Sequence, residues 1–112
     1  MAAYGRVFHR FRKNLSLSMF GVLATADTVN RLAISSDASL FNDAGAGHHV
    51  KVNKQAVTDR VSLLYQTNWT GFAETGLNGS NDFSVKANSD TGQWREAIKI
   101  DHATGNVAVG SI

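Results

Sequence analysis

The feature that most constrains the fold is a strand–turn–strand pattern towards the end of the sequence. Ile98 and Ile100 alternate with other residues and therefore fall on one face of a predicted strand. Val107 and Val109 do the same in the segment that follows. Between the two segments, Asp101–Asn106 carries the Asp, Thr, Gly and Asn residues that favour tight turns. The pattern predicts an antiparallel hairpin with one apolar face.

The same alternation recurs through much of the remaining sequence. Short apolar segments are separated by turns rich in Gly, Asn and Asp at intervals of about 8–12 residues, which is typical of all-β proteins. The sequence therefore predicts short antiparallel strands in an intertwined β-prism or a β-sandwich-like arrangement. The predicted strands comprise residues 49–53, 61–67, 72–77, 83–87, 95–100 and 106–109, with weaker candidates at 15–19 and 31–35.

The apolar content is low for a core formed within one chain. Leu, Ile, Val and Phe make up 28 of the 112 residues, and a chain of this length forms one domain at most. The sequence has no cysteine, so disulfides and thiolate metal sites are excluded, and it has no proline to protect strand edges. Oligomerisation remains as the source of further burial. The predicted shared core comprises Leu63, Tyr65, Leu77, Phe83, Val85, Ile98 and Ile100.

Residues 1–23 differ from the rest of the chain and form a predicted arm, separate from a β-rich module at residues 24–112. Four basic residues precede the first acidic residue, Asp27, whereas seven basic and nine acidic residues follow residue 13. Apolar residues spaced as i, i+3, i+4 and i+7 would share one face of a helix. Spacing and charge predict an amphipathic arm that docks on a larger assembly through Tyr4, Val7, Phe8, Arg10, Phe11 and Arg12.

Two other interpretations of this segment stay open. The arm could pack its apolar face on its own domain. Alternatively, the basic start, the apolar stretch Leu15–Leu23 and the small residues 24–26 could form a secretory signal peptide, although Ser16, Ser18 and Gly21 interrupt the apolar stretch. No segment has the length to span a membrane. The weakly acidic body argues against a nucleic-acid-binding protein.

No arrangement of residues in the sequence predicts catalysis or a resident cofactor. His48 and His49 are adjacent, so on a strand they would point to opposite faces and could not chelate one metal ion within a chain. Histidines from three copies could bind a metal on a three-fold axis, although ordinary hydrogen bonding at a loop edge is the simpler interpretation. The sequence lacks zinc-ligand spacing, a nucleophile elbow and paired carboxylates. We therefore expect a protein that is not an enzyme and that binds neither a metal nor a cofactor.

Trp69 is the candidate for direct ligand contact. It lies in a predicted turn at residues 68–71, where an exposed indole could stack on a sugar or on a partner protein. Packing against the protein's own surface is the alternative, because aromatic side chains are mostly buried. Trp94 begins a predicted strand and is expected in a core or in a subunit contact.

Several blocks of sequence, in order, carry a resemblance to a known family. The blocks are ATADTVNRLA at residues 24–33, SLFNDAGAGH at 39–48, KVNK at 51–54, SLLYQT at 62–67, GLNGSNDFSVK at 76–86 and WREAIKID at 94–101. The chain resembles, over about three-quarters of its length, a family of phage-related proteins of unknown molecular activity. That family occurs in prophages and in gene transfer agents, which are domesticated phage particles. The pattern I-x-I-D-x-x-T-G-N-V-x-V-G at residues 98–110 is similar to patterns in phage fibre and spike proteins.

The resemblance implies a virion component, namely the module at the C-terminal end of a tail-spike or head-spike subunit, without established catalytic residues. Together with the low apolar content, it favours a homotrimeric spike or fibre. The expected partners are capsid, portal or tail proteins of the particle, and a host surface on which a glycan could be bound. Members of the family are usually longer, and residues 1–23 stand in the place of their N-terminal part.

Overall fold

A computed structural model describes residues 16–110 of the chain. The described residues divide into two compact units, the first ending at His48 and the second beginning at His49. All regular structure in the described residues is β-strand, which confirms the predicted all-β fold class. The trimeric prism or sandwich-like spike stays a prediction. Residues 16–110 contain no helix that could cross a lipid bilayer.

In the first unit, two three-residue strands pair side by side. Strand β1 (Phe20–Val22) and strand β2 (Leu32–Ile34) are parallel, with Phe20 opposite Leu32. The weak strand predicted at 31–35 is confirmed in shorter form, whereas residues 16–19 of the strand predicted at 15–19 are not a strand. The parallel direction of this pair differs from the antiparallel arrangement predicted for the chain.

The loop between β1 and β2 explains this direction. Leu23 leaves β1 with a left-handed φ of 51°. The Asp27 carboxylate then accepts hydrogen bonds from the main-chain N–H groups of Asn30 (2.6 Å) and Val29 (2.8 Å), which lower the pKa of that carboxyl. This compact loop returns the chain to the start of β1, so β2 runs in the same direction. Alternation of apolar residues carries no information about strand direction.

The second unit contains a five-stranded antiparallel sheet in which each strand pairs with the next along the chain. Five predicted strands are confirmed to within two residues at either end. The order follows from the short turns, since a turn of a few residues joins antiparallel neighbours. The strands are β3 (Arg60–Thr67), β4 (Thr70–Asn78), β5 (Phe83–Asn88), β6 (Trp94–Ile100) and β7 (Val107–Val109).

The strand predicted at 49–53 is wrong. In the described part of the chain, these residues form no ladder with another segment. Val50 and Val52 instead line an open groove of ≈ 330 Å³ together with Val61 and Leu77. Val50 and Val52 are 68% and 61% exposed, so their alternation marks two apolar residues beside a groove in a segment that has no hydrogen-bonded strand partner in the described chain. Alternation of apolar residues in the sequence cannot distinguish a paired β-strand from an unpaired segment of this kind.

Two turns set the geometry of the outer hairpins. Asn68 and Trp69 connect β3 to β4 with φ angles of 47° and 70°, the left-handed pair that a two-residue type I′ turn requires. Before β7, Gly105 has a φ of 78° and its N–H donates to the carbonyl oxygen of Asp101 at 2.7 Å. The second turn confirms the hairpin predicted from the last two apolar segments.

β-Bulges interrupt the alternation of two strands. Phe72 is an extra residue of β4 opposite β3, and Ala97 is an extra residue of β6 opposite β5. Each bulge shifts the alternation by one residue. Arg95 therefore shares a face of the sheet with Ile98, and Glu96 lies on the opposite face.

Candidate functional site

The cross-strand register divides the side chains of the five-stranded sheet between an apolar and a polar face. Residues directly opposite each other in neighbouring strands lie on the same face. One row across the sheet is Val61, Leu77, Phe83, Ile100 and Val107, and the next is Leu63, Thr75, Val85, Ile98 and Val109. We call these two rows, with Tyr65, Ala73 and Ala87 beside them, the apolar face.

All seven residues of the predicted shared core lie on the apolar face. Leu63, Tyr65 and Phe83 are 58%, 50% and 41% exposed, and the other four are half-buried. In the described residues no hydrophobic side chain is buried. The strand register thus places the seven residues predicted for the shared core on one face. Their burial by other copies of the chain stays a prediction.

Hydrogen bonds join the side chains of the opposite, polar face, although the Oδ1 atoms of Asn78 and Asn88 are buried there without a partner among the described residues. Glu74 and Ser84 are the buried polar residues of the described chain, at 5% and 3% exposure. Ser62 Oγ donates to Glu74 Oε2 at 2.6 Å, and Arg60 lies 3.5 Å from the same carboxylate. Asn78 Nδ2 donates to Ser84 Oγ at 3.2 Å. Short polar side chains are therefore better covered than the large apolar ones, the reverse of an ordinary half-buried sheet.

Trp94 also lies on the polar face, over the main chain of Gly71. A Cβ on Gly71 would come within 3.2 Å of the Trp94 ring. The Lys86 ammonium sits 5.7 Å from the ring centroid, within cation–π range. The Trp94 ring covers the sheet surface at Gly71. The side chain is 39% exposed, so it is not part of a core within the described chain.

Lys54 joins the segment before β3 to the turn between β4 and β5. Its Nζ donates to the carbonyl oxygens of Val57 (2.8 Å), Asp59 (3.3 Å) and Ser80 (2.6 Å). An ammonium has three N–H donors, so the three carbonyls account for all of them. Lys54 therefore acts as a cross-link between two loops at one end of the sheet, a role that no motif in the sequence indicates.

A second cross-link joins the β4–β5 turn to the β6–β7 turn. Asp82 Oδ1 accepts the main-chain N–H of His102 at 2.9 Å and lies 2.6 Å from its ring Nδ1. The side-chain hydrogen bond from His102 lowers the pKa of the Asp82 carboxyl. Asp101 lies close enough for the three side chains to offer metal-ligand atoms within 4.8 Å of one another. The direct Asp82–His102 bonds already explain this group as a contact between turns.

Trp69 occupies the tip of the β3–β4 hairpin. Its side chain is 86% exposed and flanks an open surface pocket with Gln66 and Asn68. Gln66 Nε2 donates to the main-chain carbonyl oxygen of Trp69 at 3.3 Å. A left-handed φ is a genuine outlier for a bulky residue at a position where glycine is preferred. The tip therefore combines a conformational cost with an indole that is exposed to solvent.

The remaining candidate residues contribute less to a site. The predicted docking residues Tyr4, Val7, Phe8, Arg10, Phe11 and Arg12 lie outside the described residues. His48 contacts Phe41, with 5.7 Å between ring centroids, and His49 is exposed.

No protein-family model, curated protein or solved structure matches the chain. The function is therefore inferred from the surface of the second unit and from the sequence.

Proposed function

We propose that the chain is a structural subunit of a phage-like particle, a short homo-oligomeric spike or fibre with a trimer as the favoured state. The observation that carries this proposal is an apolar sheet face that the described chain leaves uncovered. A contiguous apolar surface of this kind marks an interaction site. The sequence resemblance to phage-related proteins supports the virion as the setting.

The size of the apolar face fits a subunit interface. The 13 residues of the apolar face, about 4.8 Å apart between strands and about 6.8 Å apart along them, cover roughly 420 Å² in projection. A standard protein interface buries about 800 Å² on each partner. The face therefore supplies about half of a stable contact. At about 25 cal/mol per Å², the gross gain is roughly 10 kcal/mol per face, comparable with the cost of association.

Two neighbouring leucines provide the test of the shared core. Leu63 lies on the apolar face and Leu64 on the polar face, and they are 58% and 50% exposed. We expect Leu63→Lys to weaken self-association at least tenfold, because a charge would be buried against another copy. Leu64→Lys, the matched control, should not change it. Sedimentation velocity over a concentration series measures both, and a monomeric wild-type protein at micromolar concentration would contradict the proposal.

The basic arm would attach the oligomer to the particle. The aromatic side chains of the arm, Tyr4, Phe8 and Phe11, would bind a complementary groove on a capsid, portal or tail protein. The cationic residues of the arm would steer it to an acidic surface. We expect replacement of Tyr4, Phe8 and Phe11 by Ser to abolish incorporation into particles. Charge reversal at Arg10 and Arg12 should reduce incorporation less, since exposed ion pairs contribute about 0–1 kcal/mol each. Normal occupancy of particles by the triple variant would show that another surface makes the attachment.

A carbohydrate-binding function at the hairpin tip is the second candidate. The exposed indole of Trp69, held at a left-handed φ, favours it, because flat aromatic surfaces stack on sugar rings. Saturable binding to a glycan array that is lost in Trp69→Ala and retained in Trp94→Ala would support this function. Equal binding by the wild type and Trp69→Ala would exclude the tip as the site.

A further inference from the structure

The outer edge of β6 is only partly covered within the described residues. Strand β7 pairs with Ile98–Ile100, three of the seven residues of β6. The last bond between them runs from Gly110 N to Ala97 O, at 2.6 Å. Gly110 has a left-handed φ of 55°, which turns the chain away from the strand direction. An open groove of ≈ 470 Å³ follows this edge and includes Arg95 and Glu96 in its lining.

The hydrogen-bond pattern shows which main-chain groups of β6 face this groove. Ser89 N donates to Gln93 O, so residue 93 is hydrogen-bonded towards β5. Bonding direction alternates along an antiparallel strand. The main-chain groups of Arg95 therefore face β5, and those of Trp94 and Glu96 face the open edge. The side chains of Trp94 and Glu96 both lie on the polar face.

Strand β3 is the edge strand at the opposite side of the sheet. As in β6, its unpaired main-chain groups belong to residues whose side chains lie on the polar face. Gly79 N donates to Asp59 O, so residue 59 is bonded towards β4. By the same alternation, the main-chain groups of Arg60, Ser62 and Leu64 point away from β4. Their side chains also lie on the polar face. Within the described residues β3 pairs only with β4.

We propose that β3 of a second copy of this chain adds antiparallel to the open edge of β6 at Trp94–Glu96. At both edges the free main-chain groups belong to residues with polar-face side chains, so the apolar faces of the two copies lie on the same side of the joined sheet, with Arg95 at the joint. Arg60 of the second copy would pair with Glu96, which places opposite charges directly across the ladder. The proposal rests on the proposed self-assembly and names the surfaces that carry it.

This contact is heterologous, because one copy offers β3 and the next receives it at β6. Heterologous contacts form a closed ring when the rotation between copies closes. Each copy in a ring would pair the first residues of β3 and the open residues of β6, which reduces the exposed-edge hazard that a sheet without proline otherwise carries. The apolar faces of all copies would then form one surface around the ring axis.

A disulfide test uses the natural absence of cysteine. When Arg60 pairs with Glu96, Val61 of one copy lies opposite Arg95 of the next as a non-hydrogen-bonded pair. The Cα atoms of such a pair are about 4.5 Å apart, within disulfide range. We expect the double variant Val61→Cys/Arg95→Cys to convert most of the protein on oxidation to covalent oligomers in non-reducing gels. A mixture of the two single variants should stop at dimers.

The control pairs Val61→Cys with Asp90→Cys, because Asp90 lies in the exposed β5–β6 turn and faces no strand edge. This control should give no ladder of covalent oligomers. A second variant, Arg60→Pro, removes the N–H that would donate to Glu96 of the other copy. Arg60 is the first residue of β3, a position where proline is tolerated, so this variant should abolish self-association while circular dichroism shows an intact sheet. Oligomers that neither cross-link nor respond to Arg60→Pro would overturn the edge contact and leave the shared apolar face standing. A monomeric wild type would overturn both proposals.

Discussion

Replacing Lys54 by Met is the most informative single change for stability, because it keeps the aliphatic side chain and removes only the ammonium. In the wild type, Nζ donates to the carbonyl oxygens of Val57, Asp59 and Ser80. The bonds to Val57 and Asp59 are exposed, so water can replace them at little cost. The bond to Ser80 is part-buried and measures 2.6 Å.

The expected loss follows from that part-buried bond. A hydrogen bond to a charged group contributes about 1.5–3 kcal/mol. Partial exposure reduces this contribution, and we expect a loss of about 2 kcal/mol. For a domain near 100 residues, each kcal/mol shifts the melting temperature by about 4–8 °C, so the melting temperature should fall by roughly 10 °C.

Thermal unfolding followed by circular dichroism measures this effect. The control is Lys51→Met, since Lys51 is exposed and makes no side-chain hydrogen bond in the described chain. All proteins must be compared at one concentration, because self-association raises apparent stability. Amide exchange should also accelerate at Gly79, whose N–H bonds to Asp59 O. A melting temperature for Lys54→Met within 2 °C of the Lys51→Met control would refute the argument.

Three further predictions concern the turns. Gly105→Val should lower the melting temperature by several degrees, because a Cβ at a φ of 78° costs on the order of 1 kcal/mol; the exposed neighbour Ala103→Val serves as control, and equal melting temperatures would contradict the assigned turn. The pKa of Asp82 is below its ordinary value of 3.8. The ionised carboxylate therefore stabilises the fold at pH values above 3.8, and this stabilisation is lost as the pH falls through the lowered pKa. Urea midpoints of Asp82→Asn and wild type should therefore differ near pH 6 and converge in acid; a constant difference would exclude this linkage. Trp69→Gly should melt at a higher temperature than wild type, because glycine adopts the left-handed turn without strain, and a lower value would show that the indole stabilises the hairpin.

The strands of the second unit were predictable because their information is local. Alternating apolar residues and turn-forming Gly and Asn residues lie next to each other in the sequence, so β3 to β7 follow from it. The failure at 49–53 has a physical cause, since Val50 and Val52 line an open groove in a segment that has no hydrogen-bonded strand neighbour in the described chain. Alternation of apolar residues indicates which side of a segment is apolar. It does not indicate whether the segment is hydrogen-bonded to a neighbouring strand.

The contacts that hold the ends of the sheet were not predictable from the sequence. Lys54 reaches Ser80 across 26 positions, and Asp82 reaches His102 across 20. Each depends on the register of intervening strands, which alternation alone does not determine. Burial of Glu74 was equally hidden, because a carboxylate in a strand ordinarily indicates solvent. By contrast, the seven residues predicted for the shared core lie on one face. Those that share a strand are two positions apart, and this spacing is visible in the sequence.

The uncovered apolar face has a consequence for how the protein acquires its structure. When the main apolar surface of a sheet is covered only by other copies, the free energy of that burial becomes available at the encounter between chains. Refolding from denaturant should then contain a second-order step whose rate rises with chain concentration. At low concentration, chains would persist as partly ordered species with an exposed apolar surface, the condition in which aggregation competes with assembly. The rate of synthesis, through local chain concentration, would thus help to decide between assembled and aggregated protein.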